Sequence, residues 1–373
     1  MAVVDRHRGL WIIGNMGKES LRTSAPGRLC LLGEHQDYFG LPILAAAIDL
    51  RISITGDRIP EKMVRLDLPD IGEKEEFPLG VTLAYSQERD YLKSAVNILQ
   101  RQGLSFPAGW DCRVEGTIPI NSGTASSSSL VVAWVRFLLE AAGDSRRTEP
   151  ESIAELAFQA EVAEFEEPGG KMDHYASALG GVISLHFGER LEARRHPCRL
   201  GEFVLADSLI RKNTTGTLGF IKSNVLNGVR RVQADLPDFS LLSGLAERER
   251  ERIAALPPVE RRLVEGTLQT RDVTAEGERL FQADEFDHER FGGLLNRQQD
   301  VVRDLLQISV PKIDRMIEAS LESGALGAKI NGSGQGGCIF AYAPGRAEEV
   351  AETLKRLDSR PVIVRIADGV TSD

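Results

Sequence analysis

The sequence predicts a mixed α and β protein, built as two domains or one large one. Three observations lead there. The chain has 373 residues, enough for two ordinary domains. Segments that alternate at the strand period are interleaved with segments of helical period. The character of the chain also changes after Gly188, from apolar runs joined by small-residue loops to highly charged stretches. A boundary near 185 to 200 follows, with 1–190 and 191–373 as the two expected domains. Hydrophobic residues make up 42% and charged residues 27%, the balance of a soluble globular chain with a substantial core.

The elements follow in order. Ala25-Pro26-Gly27 is a turn signal, Leu29 to Leu32 is apolar, Gly33 to Gly40 is polar, and Leu41 to Ile54 is apolar and partly β-branched. This predicts strand, functional loop, strand. Residues 85 to 102 carry Tyr91, Val96 and Leu99 on one helical side, and 111 to 120 alternate as a strand through Cys112, Val114, Gly116 and Ile118. The small-residue loop NSGTASSSS follows, then an apolar helix from Leu130 to Ala142. A helix over 151 to 166 is broken by EEPGG, and another near Tyr175 and Leu179 ends at Gly180-Gly181. Val182 to Phe187 and 203 to 208 read as strands. AERERERIAALPPVERR reads as an exposed helix stopped by Pro257-Pro258. Ile313, Met316, Ile317 and Leu321 recur at helical spacing before a second glycine-rich loop, INGSGQGGC, and the strand IFAYA.

Several classes are excluded early. The formal net charge of −10 argues against nucleic acid, whose phosphate backbone needs a basic surface. The cysteines Cys30, Cys112, Cys198 and Cys338 form no C-x-x-C pair, so neither a zinc site nor a disulfide framework is expected. GLWIIG is too short for a signal-peptide core, and no apolar run reaches the ~18 residues of a membrane span. A cytoplasmic protein with no membrane partner is the expectation.

Pro119 to Leu130, P-I-N-S-G-T-A-S-S-S-S-L, lies between a predicted strand and a predicted helix. The start of a helix offers unpaired N–H groups and the positive end of a dipole to an anion. Gly123 permits backbone conformations closed to other residues, and a serine hydroxyl can cap the helix or ligate Mg²⁺. On its own such a run also fits a serine-rich turn.

Residues 25 to 49, APGRLCLLGEHQDYFGLPILAAAID, resemble the first motif of galactokinases, P-G-R-[VI]-N-L-I-G-E-H-T-D-Y followed by glycine and an apolar strand. IPINSGTASSSSL resembles the second, P-x-G-x-G-L-S-S-S-A, and GAKINGSGQGGCIF the third, K-x-T-G-[AS]-G-x-G-G-C. EPGGKMDHYASALGG is similar to the family's P-C-G-x-M-D-Q segment, and FGGLLNRQQDVVRDLLQISVPKID to its F-G-x-L-M-x-x-S-H and V-S-x-P-x-x-D segments. All stand in the family's order. The chain thus resembles the galactokinase-like GHMP kinases. It departs from their pattern at Asn121, at Thr124-Ala125, at His174 in place of glutamine, and at Lys171, where an apolar residue is usual.

The resemblance implies an α+β GHMP kinase fold, with an S5-like N-terminal domain and a ferredoxin-like C-terminal domain and the site between them. It implies ATP and Mg²⁺ as cofactors and a small-molecule sugar or polyol as substrate. Phosphoryl transfer rests mostly on positioning and charge stabilisation. By resemblance, Asp173 is the base that takes the hydroxyl proton and Arg28 is the cation beside it. Glu34, His35 and Asp37 match residues that bind sugar hydroxyls. Gly123, Thr124, Ser126, Ser127, Ser128, Gly332 and Gly334 fall in the nucleotide loops. Glu161, twelve residues before Asp173, and Ser127 match the Mg²⁺ ligands, with Ser126 as the alternative. Arg211 and Lys212 lie in a substrate-contacting segment, and Cys338 is expected in the core. Lys171 has three readings: it lowers the pKa of Asp173, it pairs with a carboxylate on a uronic acid, or it merely points to solvent or pairs with Glu166 or Glu167. A neutral hexose is the first expectation. A mevalonate- or homoserine-kinase-like activity and a non-catalytic sugar or nucleotide sensor remain open.

Overall fold

The computed structural model describes residues 20–119, 123–197, 200–211 and 214–373. Two antiparallel-rich sheets lie face to face. The first has eight strands. β1 (Ser20–Leu32) and β2 (Ile43–Ile59) form a long hairpin at its centre, and the path runs β12-β1-β2-β5-β3-β4, where β3 is Met63–Leu68, β4 Glu73–Pro78, β5 Gly109–Gly116 and β12 Thr371–Ser372. β6 (Val182–Phe187) pairs with the start of β2, and β7 (Leu191–His196) with β6. The expected division at 190 therefore falls in the turn of the β6–β7 hairpin, and β7 stays with the first sheet. The last residues also return to it: Ile366 bridges Ile48, Asp368 bridges Gly180, and Thr371 pairs with Ser24.

Four helices cover one face of this sheet: α1 (Tyr91–Arg101), α2 (Ser126–Ala142), α3 (Pro150–Phe158) and α4 (Met172–Leu179). α2 is apolar nearly all round, and Val131, Val132, Trp134, Val135, Leu138 and Leu139 are all buried, as a helix enclosed by the others must be. α1 starts at Tyr91 rather than 85, because the Asp90 carboxylate takes the Ser86 N–H and holds the preceding segment in a turn. The helix expected over 151–166 is α3 followed by one π-helical turn, Gln159–Ala163. Such turns widen a helix locally and re-aim its side chains, and this one carries Glu161.

The second sheet has the order β11-β8-β10-β9, with β8 Phe203–Asp207, β9 Gly327–Ile330, β10 Cys338–Tyr342 and β11 Arg360–Val364. With α9 (Pro311–Glu322) before β9 and α10 (Ala347–Lys355) before β11, this is the β-α-β-β-α-β arrangement in ferredoxin-like order. Between β8 and α9 the chain inserts α5 (Thr214–Asp235), α6 (Glu247–Ala254), α7 (Pro258–Phe281) and α8 (His288–Asp300). Pro257-Pro258 does more than stop a helix: Pro258 is the first residue of α7, where its missing N–H costs nothing.

Strand alternation assigns the cores. Cys30 faces α1–α4, whereas Leu29 and Leu31 face the second sheet. Phe203 and Leu205 of β8 meet them, while Val204 and Ala206 face α5, α7 and α9. Phe340, Tyr342, Phe291 and Val182 complete this middle layer. Each fully buried Leu or Phe there contributes about 1.5–3 kcal/mol. The two sheets are thus joined through an apolar layer, and the polar loops at its edge are held in fixed relation.

Candidate active site

Pro26 has no N–H to give the sheet, and the β1–β2 register slips between Pro26 and Arg28. Two buried hydroxyls take the Pro26 carbonyl, Ser129 Oγ of α2 and Ser177 Oγ of α4, each at 2.7 Å. The Arg28 N–H turns to the Thr124 carbonyl at 3.2 Å. β1, the α2 loop and α4 are thereby locked at one point. From it the Arg28 side chain, 4% exposed, donates Nε to Asp173 Oδ1 and Nη2 to Asp173 Oδ2, both at 2.8 Å. Nη1 donates to the Gly123 carbonyl. Burial works to lower the Arg28 pKa, but the Asp173 charge and hydrogen bonds outweigh it and the net shift is upward. The pair is a fork-to-fork contact of the stronger kind.

The pair opens onto a cavity of about 240 Å³. Gly123 and the first three residues of α2, Ser126, Ser127 and Ser128, form one wall. Ala125, the residue before the helix, is left-handed at φ 62° and supplies no side-chain cap, so the terminal N–H groups are not taken up by a cap. Asn121 lies outside the described residues. Thr124, expected in the nucleotide loop, sits behind it: it is fully buried, and its Oγ1 lies 3.4 Å from the Pro119 carbonyl. On the far side, Gly332 and Ser333 face the cavity. Gly332 has φ 80°, and a Cβ there would meet the Gly123 carbonyl at 3.1 Å. Gly334 does not face the cavity and packs against Ile308.

The residue that joins these loops is one the sequence reading passed over. Asn331, 1% exposed, accepts from Cys30 N at 2.9 Å and donates Nδ2 to the Arg28 carbonyl at 3.2 Å and the Gly123 carbonyl at 2.9 Å. One amide thus holds all three glycine-bearing motifs.

Glu34, His35 and Asp37 line the same cavity. Glu34 pairs with Lys329 of β9, which is fully buried and also donates to the Cys30 and Ile330 carbonyls at 3.1 and 2.8 Å. Burial raises the Glu34 pKa, opposed by the Lys329 charge and hydrogen bond. His35, left-handed at φ 60°, sets Nδ1 2.8 Å from Tyr38 Oη. Asp37 accepts from Tyr38 N at 3.0 Å and Met172 N at 3.1 Å. Burial raises its pKa, the Met172 N–H works against the shift, and the neighbouring Asp173 charge adds to it. The Asp37 carboxylate fits only because residue 170 is glycine: a Cβ there would strike it.

At the other end, Glu161 is 6% exposed and its Oε2 lies 2.7 Å from Nε2 of His174. Its carboxylate reaches the cavity beside Ser126 to Ser128. A carboxylate and a serine hydroxyl are hard oxygen donors of the kind Mg²⁺ takes alongside waters and substrate phosphates, so the residues present fit that ion. Among the described residues no group of three or more His, Cys, Asp or Glu is placed to hold a metal by itself. Arg89 and Tyr91 also face the cavity, tied to Glu167 at 2.9 and 2.8 Å. They lay outside the quoted motifs, and no signal in one sequence singled them out.

Lys171 is elsewhere. Its Nζ lies 2.7 Å from Glu155 and 4.9 Å from the centre of the Phe158 ring, and it does not line the cavity. Its partner is an acid of α3, Glu155, rather than the expected Glu166 or Glu167. Arg211 is also outside the cavity wall, where Thr214, Thr215 and Leu218 of α5 stand instead. Lys212 lies outside the described residues. Cys338 is fully buried.

Models of known families match three parts of the chain: GHMP kinases N terminal domain over 90–181, GHMP kinases C terminal over 280–359, and the galactokinase galactose-binding signature over 14–58. A mevalonate kinase of Pyrococcus furiosus is 27% identical over 360 residues, covering 92% of this chain and 95% of that protein. A galactokinase of Haemophilus influenzae is 29% identical over 341 residues, covering 86% and 84%. The crystal structure of Lactococcus lactis galactokinase complexed with galactose matches with a TM-score of 0.82 at 22% identity, covering 95% of both chains.

Proposed function

Since the chain belongs to the GHMP kinases, in their two-domain fold, we propose that it transfers the γ-phosphoryl group of ATP to a hydroxyl of a neutral monosaccharide. The observation that carries this reading is the bidentate Arg28–Asp173 pair opening onto a cavity that also holds Glu34, His35 and Asp37. Asp173 takes the proton of the attacking hydroxyl as its oxygen bonds to phosphorus and the bond to ADP breaks. Arg28 orients that carboxylate and stabilises charge on the transferring group. Glu34, His35 and Asp37 accept or donate hydrogen bonds to the remaining hydroxyls. The α2 N-terminus, with Gly123 and Ser126 to Ser128, holds the phosphates. Glu161 and Ser127 would hold Mg²⁺, which supplies neutralisation of phosphate charge.

A second reading has a specific observation behind it: the mevalonate kinase relative is nearly as similar as the galactokinase and covers more of the chain. A coupled ADP-release screen over hexoses, pentoses, uronic acids, inositols and mevalonate separates the two. Turnover with a neutral sugar is expected. Turnover with mevalonate alone would overturn the sugar assignment, and no acceptor-dependent ADP release would favour a sensor.

A further inference from the structure

His174 and Lys171 are departures from the family pattern within one short segment, and the structure joins them. The two sit at the start of α4. Asp173 between them faces Arg28, while His174 turns to the opposite wall and meets Glu161 at 2.7 Å. The His174 ring is 1% exposed. Its edge packs on Phe158 of α3, with ring centroids 5.8 Å apart at 86°, and the Lys171 ammonium lies over the same Phe158 ring at 4.9 Å. Lys171 is itself fixed by Glu155 at 2.7 Å. Among the described residues His174 Nδ1 has no hydrogen-bond partner. A proton there would be buried without an acceptor, so the geometry places the ring proton on Nε2, pointing at the Glu161 carboxylate.

We propose that His174 is a positioning residue for Glu161. Its Nε2–H fixes one carboxylate oxygen and leaves the other for the metal side of the cavity, and Phe158 with Lys171 holds the imidazole in place. This rests on the assignment of Glu161 to Mg²⁺. A partner that orients a ligating group typically changes metal affinity or activity about 10–100-fold when removed.

The test uses His174→Met, which keeps bulk without the donor, and His174→Gln, whose amide can donate. Glu161→Ala runs in parallel. Two quantities are read: the Mg²⁺ concentration for half-maximal turnover, and the affinity for a fluorescent ATP analogue with Mg²⁺ and with EDTA. Thermal unfolding confirms that each variant is folded. Expected is a half-saturating Mg²⁺ raised about tenfold or more in His174→Met, largely restored in His174→Gln, with sugar KM and EDTA-condition nucleotide binding unchanged. A shift in Glu161→Ala but none in His174→Met overturns the positioning role and leaves the metal assignment standing. No shift in either overturns both. Equal weakening with and without Mg²⁺ makes His174 a packing residue and also overturns the proposal. Should His174→Met not fold, a Mg²⁺ requirement in His174→Gln raised as far as in Glu161→Ala overturns it, and one close to wild type supports it.

Discussion

Asn331→Ala should damage the site although Asn331 does not itself face the cavity. The side chain satisfies Cys30 N–H and the carbonyls of Arg28 and Gly123. Gly123 keeps the Arg28 Nη1 donor, so truncation removes the partner of one buried N–H and of the Arg28 carbonyl. An unsatisfied buried polar group costs about 1–3 kcal/mol, so losing two partners should cost ~2–6 kcal/mol. In a domain of 150–250 residues each kcal/mol moves Tm by about 2–4 °C, which predicts a fall of roughly 4–24 °C. Because Asn331 joins the Gly123 and Gly332 loops, the KM for ATP should rise more than that for the acceptor. Asn331→Asp gives the sharper test. It keeps the shape and the Cys30 contact, but its second oxygen faces two carbonyls instead of donating to them. It should therefore be no more stable than the alanine variant. Differential scanning fluorimetry and steady-state kinetics measure both. An aspartate variant as stable as wild type, or an alanine variant within a degree of it with unchanged ATP KM, would refute this account of Asn331.

Asp173→Asn keeps the shape and removes the charge; turnover should fall about 10²–10⁴-fold while isothermal titration shows nucleotide still bound, and near-full turnover would remove Asp173 as base. Gly170→Ala drives a methyl into the Asp37 carboxylate; losing one charge-assisted hydrogen bond of about 1.5–3 kcal/mol should raise the acceptor KM roughly tenfold to a hundredfold with little change in ATP KM, and an unaltered acceptor KM would count against a substrate contact by Asp37. Lys329→Met leaves the Glu34 carboxylate buried without its cation, a loss of about 3–5 kcal/mol. Burial already raises the Glu34 pKa against the pull of Lys329, so in the variant it climbs further. The folded state then binds a proton more tightly than the unfolded chain, whose Glu titrates near ~4.3. The destabilisation is therefore greatest at neutral pH and shrinks as pH falls through the raised value. A difference in Tm from wild type that stays constant between pH 5 and 8 would contradict it.

The strands and helices with strong periodicity were legible. β2, β5, β6, β8, β10, α2, α4 and α9 all lie where alternation or helical spacing puts them, with ends shifted by a few residues, but β1 begins at Ser20 and runs through Ala25-Pro26-Gly27, expected as a turn, because Pro26 there shifts the register of a continuous strand and does not end it. Much of the insertion between β8 and α9 was not read. α7 carries buried Thr267, Thr270 and Thr274 beside Leu263 and Val264, so its core stripe is partly polar. Two of the threonine hydroxyls bond inside the helix, Thr267 to the Leu263 carbonyl at 2.9 Å and Thr274 to that of Thr270 at 2.8 Å, and the Thr270 hydroxyl accepts from Gln298 Nε2 of α8 at 3.1 Å. A hydrophobicity pattern does not register such a stripe. β11 has a half-exposed pattern, and its pairing with β8 joins segments more than 150 residues apart.

In the site, residues inside dense motifs were legible and their long-range partners were not. Arg28 and Asp173 could be paired by resemblance, yet Lys329 against Glu34 and Asn331 against Cys30 are contacts across about 300 positions, which a single chain does not advertise. Lys171 is the instructive case, because local geometry alone could have placed it. Two residues along an α-helix turn roughly 200° about its axis, so if 171 to 179 is helical, a side chain at 171 points away from one at 173 and towards the side of 175. The structure agrees: Tyr175 Oη and Lys171 Nζ both meet Glu155 Oε2, at 3.3 and 2.7 Å, on the side of α4 away from Arg28. Nearness in sequence to the proposed base was read as nearness in space, an inference valid only for side chains on the same helical face. With Lys171 held by Glu155, the sequence-based case for a substrate carboxylate loses its cation. The carboxylates of Glu34, Asp37 and Asp173 face the cavity, and an acidic sugar would meet them. Acids outnumber the cations Arg28 and Arg89 on the cavity wall, which supports the neutral acceptor proposed above on charge as well as on resemblance. The matching uronate should react far more slowly than the hexose, and Lys171→Met should leave that ratio unchanged.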